Sequence, residues 1–133
     1  MDIYREQIID LYEHPLNRGT VEGADFSYEE DNPLCGDVVR IDVKLDENQR
    51  VAEVAWSGDG CAISQASASL LTEDIKGKTL DELRAYDKEE LLELLGIQLS
   101  MARVKCALLS LKVLKAGAYG LPDPEEMRGK IDE

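Results

Sequence analysis

Three cysteines and one aspartate, Cys35, Asp37, Cys61 and Cys106, are the residues whose types and settings invite chemistry. Cys35 and Asp37 share the segment Asn32-Pro33-Leu34-Cys35-Gly36-Asp37. In an extended backbone, residues two apart project to the same side. Cys61 closes Gly58-Asp59-Gly60-Cys61 and opens a helical stretch, where the positive end of a helix favours thiolate. Cys106 lies in the first turns of the last helical stretch beside Arg103 and Lys105, whose charges favour thiolate too. Each cysteine is thus expected at a junction between elements. Thiolates with one carboxylate form a donor set for tetrahedral Zn²⁺, for iron, or for a small iron–sulfur cluster. No CxxC pair strengthens the case, and a free cysteine is commonly a small buried hydrophobe. The residues alone therefore leave a shared metal site and three structural thiols evenly balanced.

Other polar residues invite plainer readings. Asp37 could be an ordinary turn aspartate, and only its spacing from Cys35 raises it. His14 precedes Pro15 in a surface turn with no evident partner. Lys105 shares a polar strip with Lys112 and is expected to be solvated. The run Ala62-Ile63-Ser64-Gln65-Ala66-Ser67-Ala68-Ser69 reads as small-residue helix packing, not as a nucleophile cluster.

The elements that must position these residues follow from periodicity and punctuation. Tyr4, Ile8, Leu11 and Tyr12 mark a helix over 2–13 that stops before Pro15. Val39, Ile41, Val43 and Leu45 alternate with Arg40, Asp42, Lys44 and Asp46, the pattern of a half-buried strand over 38–46. A turn at 46–49 returns the chain as a strand over 51–57, and 25–31 adds a third. Short connections make the sheet antiparallel. Beyond Cys61 the chain is helical: 62–75, a short helix opened by the capping box Thr79-Leu80-Asp81-Glu82, another from Asp87 to Gly96, and a last one over 101–117 ending at Gly117 or Gly120. The tail after Pro122 and Pro124 is read as partly helical. In the last helix Val104, Ala107, Leu108, Leu111 and Leu114 form one apolar stripe and Ala102, Cys106, Leu109 and Val113 a second. Strands first and helices after them predict an α+β fold, with helices over one face of a small antiparallel sheet.

At 133 residues the chain suits a single domain over 1–133 with a sizeable core. Its net charge of −13 argues against nucleic acid as a partner, since that affinity comes from Lys and Arg on phosphates. It argues equally against docking on an anionic membrane. No apolar run reaches the ~20 residues of a membrane helix, and the N-terminus lacks signal-peptide character. A cytoplasmic location is expected. Three is an odd cysteine count at long spacings, unlike the framework of a small secreted domain.

At these residues the chain closely resembles the IscU/SufU family, which also forms the N-terminal domain of NifU. The resemblance is carried by His14-Pro15-Leu16-Asn17-Arg18-Gly19, by Asn32-Pro33-Leu34-Cys35-Gly36-Asp37, by Gly60-Cys61-Ala62-Ile63-Ser64-Gln65-Ala66-Ser67-Ala68-Ser69 and by Arg103-Val104-Lys105-Cys106-Ala107. It implies an IscU/NifU-like sandwich of a three-stranded antiparallel sheet and several helices. It implies Cys35, Asp37, Cys61 and Cys106 as ligands of zinc, iron or a transient [2Fe–2S] cluster. It implies a cysteine desulfurase as sulfur donor and acceptor apo-proteins as recipients. Three functions fit: a non-enzymatic cluster scaffold; a zinc-dependent sulfur acceptor with Cys35 taking persulfide sulfur; and a purely structural zinc domain. Two residues depart from the IscU branch. Lys105 stands where that branch has histidine, and Leu99-Ser100-Met101-Ala102-Arg103 lacks the proline its chaperone reads. Both departures resemble SufU, whereas the short interval from Cys61 to Cys106 resembles IscU.

Overall fold

The computed structural model describes residues 3–32, 36–96 and 99–120, without the side chains of 3–5 and Ala102. Along it run α1 (Ile3–Glu13), β1 (Phe26–Asn32), β2 (Asp37–Leu45), β3 (Val51–Asp59), α2 (Ala62–Asp74), α3 (Leu80–Ala85), α4 (Lys88–Leu95) and α5 (Met101–Gly120). The sheet is antiparallel in the order β1-β2-β3. The expected α+β architecture with three strands is what the chain adopts. Cys35 lies outside the described residues, as does the tail after Pro122. Tyr4 and Ala102 lie outside the described side chains.

β2 shows why the sheet has a core face. Val39, Ile41 and Val43 are 0 to 2% exposed, and their cross-strand partners include Phe26, Val54 and Trp56. Side chains on paired residues of an antiparallel ladder share a face, so these six make one apolar layer. Leu71 and Ile75 from the α2 end, Leu83, Leu91, and Leu109, Leu111, Val113 and Leu114 of α5 complete it. A smaller cluster joins Ile8 and Leu11 of α1 to Ala66, Leu95 and Ala107. The helix α2 is the hub between them. Its Ser64, Gln65, Ala66, Ser67, Ala68 and Ser69 are all buried, because small side chains let neighbours approach from every side.

The helix ends carry their expected signals. Thr79 Oγ1 accepts from the Glu82 N–H while the Glu82 carboxylate accepts from the Thr79 N–H, closing the capping box. Asp87 caps α4 through the Glu89 N–H, and Gly96 ends it in the left-handed conformation, φ 71°.

One expectation is settled and one, that for Asp42, is overturned. The last helix takes the second of its two expected ends and runs through Gly117 to Gly120. A Cβ on Gly117 would sit 2.5 Å from the Phe26 ring, so this glycine lets α5 approach β1 instead of stopping the helix. Asp42, read as a solvent-facing strand residue, is 3% exposed. The chain before β1 crosses the outer sheet face there, and the Val21 N–H donates to Asp42 Oδ2 at 3.1 Å. Arg40 Nε donates to Oδ1 at 3.0 Å. Burial by itself would raise the Asp42 pKa, but hydrogen bonds from Ser27, Val21 and Arg40, with the Arg40 charge, outweigh it and hold the carboxyl below its usual range. Cys106 lies on the second apolar stripe of α5 as expected and is fully buried, 0% exposed, while Arg103 and Lys105 beside it face solvent. The second apolar stripe of α5 carries it inward.

Candidate metal centre

The site sits where β2 begins, β3 ends and α2 starts. Asp37 is the first residue of β2 and pairs with Asn32 at the end of β1. Val38 pairs with Asp59, so the start of β2 lies beside the Asp59-Gly60-Cys61 turn out of β3. Cys61 occupies the N-cap of α2 in extended conformation, φ −70° and ψ 166°, and its side chain makes no capping hydrogen bond. The thiol is instead directed to Asp37 Oδ2. The buried stripe of α5 brings Cys106 to the same place.

Asp37, Cys61 and Cys106 each present a ligand atom, and these atoms all lie within 4.8 Å of one another. Asp37 is 0% exposed. Its Oδ1 accepts from the Cys61 N–H at 2.9 Å, and its Oδ2 lies 3.8 Å from Cys61 Sγ. Among the described residues no Lys or Arg pairs with this carboxylate. Burying a carboxylate with no cation beside it is costly unless a metal takes the cation's place. A Cβ on Gly60 would lie 2.6 Å from Asp37 Oδ1, so a glycine is needed for the turn to fold around the carboxylate. Two sulfurs and one carboxylate oxygen converging, with Asp37 and Cys106 buried and Cys61 half-buried, fit a thiophilic metal such as zinc or iron. Of the four expected ligands, the described structure brings three together; Cys35 is the fourth.

The supporting turn was legible as a turn and as a family motif, but not as a part of the site. Residues 17–19 run along the free edge of β3, with the Trp56 N–H donating to Asn17 O and the Gly19 N–H to Trp56 O. Trp56 Nε1 donates to Leu16 O, and the Leu16 N–H to Ser69 Oγ. His14 is exposed and takes no part in the cluster. Arg18 and Gln65 were missed as individuals. The Arg18 guanidinium lies 5.1 Å from the Trp56 ring centroid, and it donates to Gln65 Oε1 at 3.1 Å and to Gly58 O at 2.9 Å. Gln65 Nε2 donates to Gly60 O at 2.9 Å. The one sequence signal for this was a long polar side chain inside a run of Ala and Ser.

Comparison with known proteins bears on this arrangement. Residues 3–125 match the family model described as the NifU-like N terminal domain. The zinc-dependent sulfurtransferase SufU of Bacillus subtilis is 35% identical over 132 residues, covering 86% of this chain and 88% of SufU. The iron–sulfur cluster assembly scaffold protein IscU of Haemophilus influenzae is 34% identical over 116 residues, covering 85% of this chain and 90% of IscU. The crystal structure of the N-terminal part of a nitrogen-fixing NifU-like protein from Brucella abortus superposes with a TM-score of 0.72 at 23% identity, over 90% of this chain and 94% of that one; it attests the fold. With its three-stranded sheet, its helical layer and a match over nearly its whole length, this chain belongs to the NifU-like N-terminal domain family.

Proposed function

We propose that the chain is an iron–sulfur cluster assembly scaffold. It takes iron and sulfur as cargo on Cys35, Asp37, Cys61 and Cys106 and passes a [2Fe–2S] cluster to acceptor apo-proteins in the cytoplasm. The observation that carries this reading is the convergence of buried Asp37, half-buried Cys61 and buried Cys106 within 4.8 Å. Thiolates bind iron firmly, while a single carboxylate is the donor an incoming acceptor thiolate displaces most easily. Likeness to the IscU scaffold supports the reading. The pairing with SufU needs 132 positions to cover 86% of this chain, whereas that with IscU needs 116 for 85%. The chain thus tracks IscU with few gaps and lacks residues that SufU has.

In this scheme a cysteine desulfurase supplies the sulfur as a persulfide. A thiolate, assigned to Cys35, attacks the outer persulfide sulfur; the S–S bond breaks, and the desulfurase thiolate leaves with the electron pair. Each transferred sulfur then takes two electrons to become a bridging sulfide, supplied partly by Fe²⁺ going to Fe³⁺ and for the rest by a small-molecule thiol reductant.

A second reading, the zinc-dependent sulfur acceptor, is favoured by the 35% identity to SufU and by Lys105. A protonated lysine has no lone pair for a metal, so Asp37 is the oxygen donor of the set. Zn²⁺ there would keep the cysteines deprotonated, and the protein's part is to present Cys35 to the donor.

Anaerobic incubation with a cysteine desulfurase, cysteine and Fe²⁺ tests both readings. The scaffold predicts a visible [2Fe–2S] chromophore that moves to an apo-ferredoxin. A gain of one sulfur on Cys35 of zinc-loaded protein, with no chromophore, would replace the scaffold by the sulfur acceptor. If neither appears, both fall and a structural zinc domain remains.

A further inference from the structure

The Gly60–Cys61 peptide is held at both of its polar ends. Its N–H donates to Asp37 Oδ1 at 2.9 Å, and its carbonyl accepts from Gln65 Nε2 at 2.9 Å. Gln65 is 5% exposed, and its Oε1 accepts from Arg18 Nη1 at 3.1 Å. The amide orientation is fixed by chemistry: a guanidinium can only donate and a peptide carbonyl can only accept. The result is one hydrogen-bond chain running in a single donor-to-acceptor sense from a guanidinium cation, through a carboxamide and a peptide, to the Asp37 carboxylate. Bonds aligned in this way polarise one another. A second Arg18 bond, Nη2 to Gly58 O at 2.9 Å, ties down the start of the same turn.

We propose that Arg18 and Gln65 are positioning residues that clamp the Gly60–Cys61 peptide onto Asp37 Oδ1, so that the carboxylate meets a divalent metal through Oδ2 alone. With Oδ1 engaged by a peptide N–H, Oδ2 is the oxygen on the Cys61 Sγ side. A one-oxygen carboxylate suits a compact four-coordinate site, whereas a freely turning one would offer both oxygens and expand it. Groups that orient a ligand in this way commonly change metal affinity 10- to 100-fold when removed. The proposal rests on the metal-site reading above.

The test is Co²⁺ loading of the full chain under reducing conditions, comparing wild type with Gln65→Glu and Arg18→Ala. Glutamate keeps the size of Gln65 and still accepts from Arg18, but it cannot donate to Gly60 O. The expected result is an altered cobalt d–d spectrum and roughly tenfold faster Co²⁺ release to a chelator, with a smaller change of the same sign in Arg18→Ala and its reversal in Arg18→Lys. Wild-type spectra and release rates in both variants would overturn the clamp, even if their metal-free melting temperatures fall, because that pattern marks a merely structural role. If Gln65→Glu does not fold, exposed Arg18 decides the question alone: unchanged release in Arg18→Ala overturns the proposal. Wild-type protein without sulfur-to-cobalt charge-transfer bands would remove the metal site itself, a failure distinct from identical behaviour of loaded wild type and variants.

Discussion

At the proposed metal site Asp37 would have two jobs, and they would fall on different oxygens. Oδ1 holds the Cys61 N–H, which fixes the turn that delivers Cys61; Oδ2 faces the sulfur. The two are separable by substitution. Asp37→Asn keeps an oxygen for the peptide N–H but loses the anionic donor, so the metal-free protein should melt near wild type while metal release accelerates at least tenfold. Asp37→Ala abandons the buried N–H as well, and leaving such a donor unpaired costs about 1–3 kcal/mol. It should therefore melt lower even without metal. Circular dichroism melting and chelator competition on both variants make the comparison. Equal metal retention in Asp37→Asn and wild type would limit Asp37 to the turn.

Two contacts between elements govern how the layers reach the site. The helix α5 lies so close to β1 that a Cβ on Gly117 would meet Phe26 Cδ1 at 2.5 Å and Cε1 at 2.7 Å. Gly117→Ala gains helix propensity yet forces the ring or the helix to move, and overpacking of this kind costs about 1–3 kcal/mol. A net loss of stability is expected in urea unfolding. Cys106 rides on the same helix, so the variant should also lose metal affinity. On the opposite sheet face, Asp42 joins β2 to the segment before β1. Its carboxyl pKa is lowered in the fold, so the folded state binds its proton more weakly than the unfolded chain does. Its contribution is complete above the unfolded value of about 3.9 and is lost as pH falls through the lowered folded value. Unfolding midpoints measured across that acid range should drop for wild type, and the drop should be shallower in Asp42→Asn.

At the scale of the whole molecule, a metal at Asp37, Cys61 and Cys106 would tie β2, the start of α2 and α5 together. Binding to the folded chain adds to folding free energy, by about 2.7 kcal/mol at a free metal concentration ~100 times Kd. Stripping a bound divalent metal with a chelator should lower the melting temperature by several degrees and restore it on zinc addition. Cys61→Ser and Cys106→Ser should both blunt that shift. A melting temperature indifferent to chelator would dismiss a metal bridge between these elements. The net charge of −13 adds a background repulsion that a bound cation relieves. Among the described residues no helix is long and apolar enough to cross a membrane.

The sequence by itself determined the elements and their order, because these depend on local signals. Alternation of Val39, Ile41 and Val43, the Thr79 capping box and the stop at Gly96 all act within a few residues. It also singled out the candidate ligands, since thiolates and a carboxylate in recognisable motifs need no geometry to be noticed. What only the tertiary structure decided is distance across the chain. That Asp37, Cys61 and Cys106 converge depends on β2 pairing with β3 and on α5 crossing the sheet. The role of Gly117 was hidden because a helical glycine near a helix end reads the same whether it stops the helix or admits a neighbour. Asp42 looked solvated because alternation reports which face a side chain is on, not whether a distant segment covers that face. Arg18 and Gln65 were invisible as a pair because nothing local links a surface arginine to a glutamine in a small-residue helix. Their hydrogen bond exists because the turn before β1 is laid along the edge of β3, beside the start of α2.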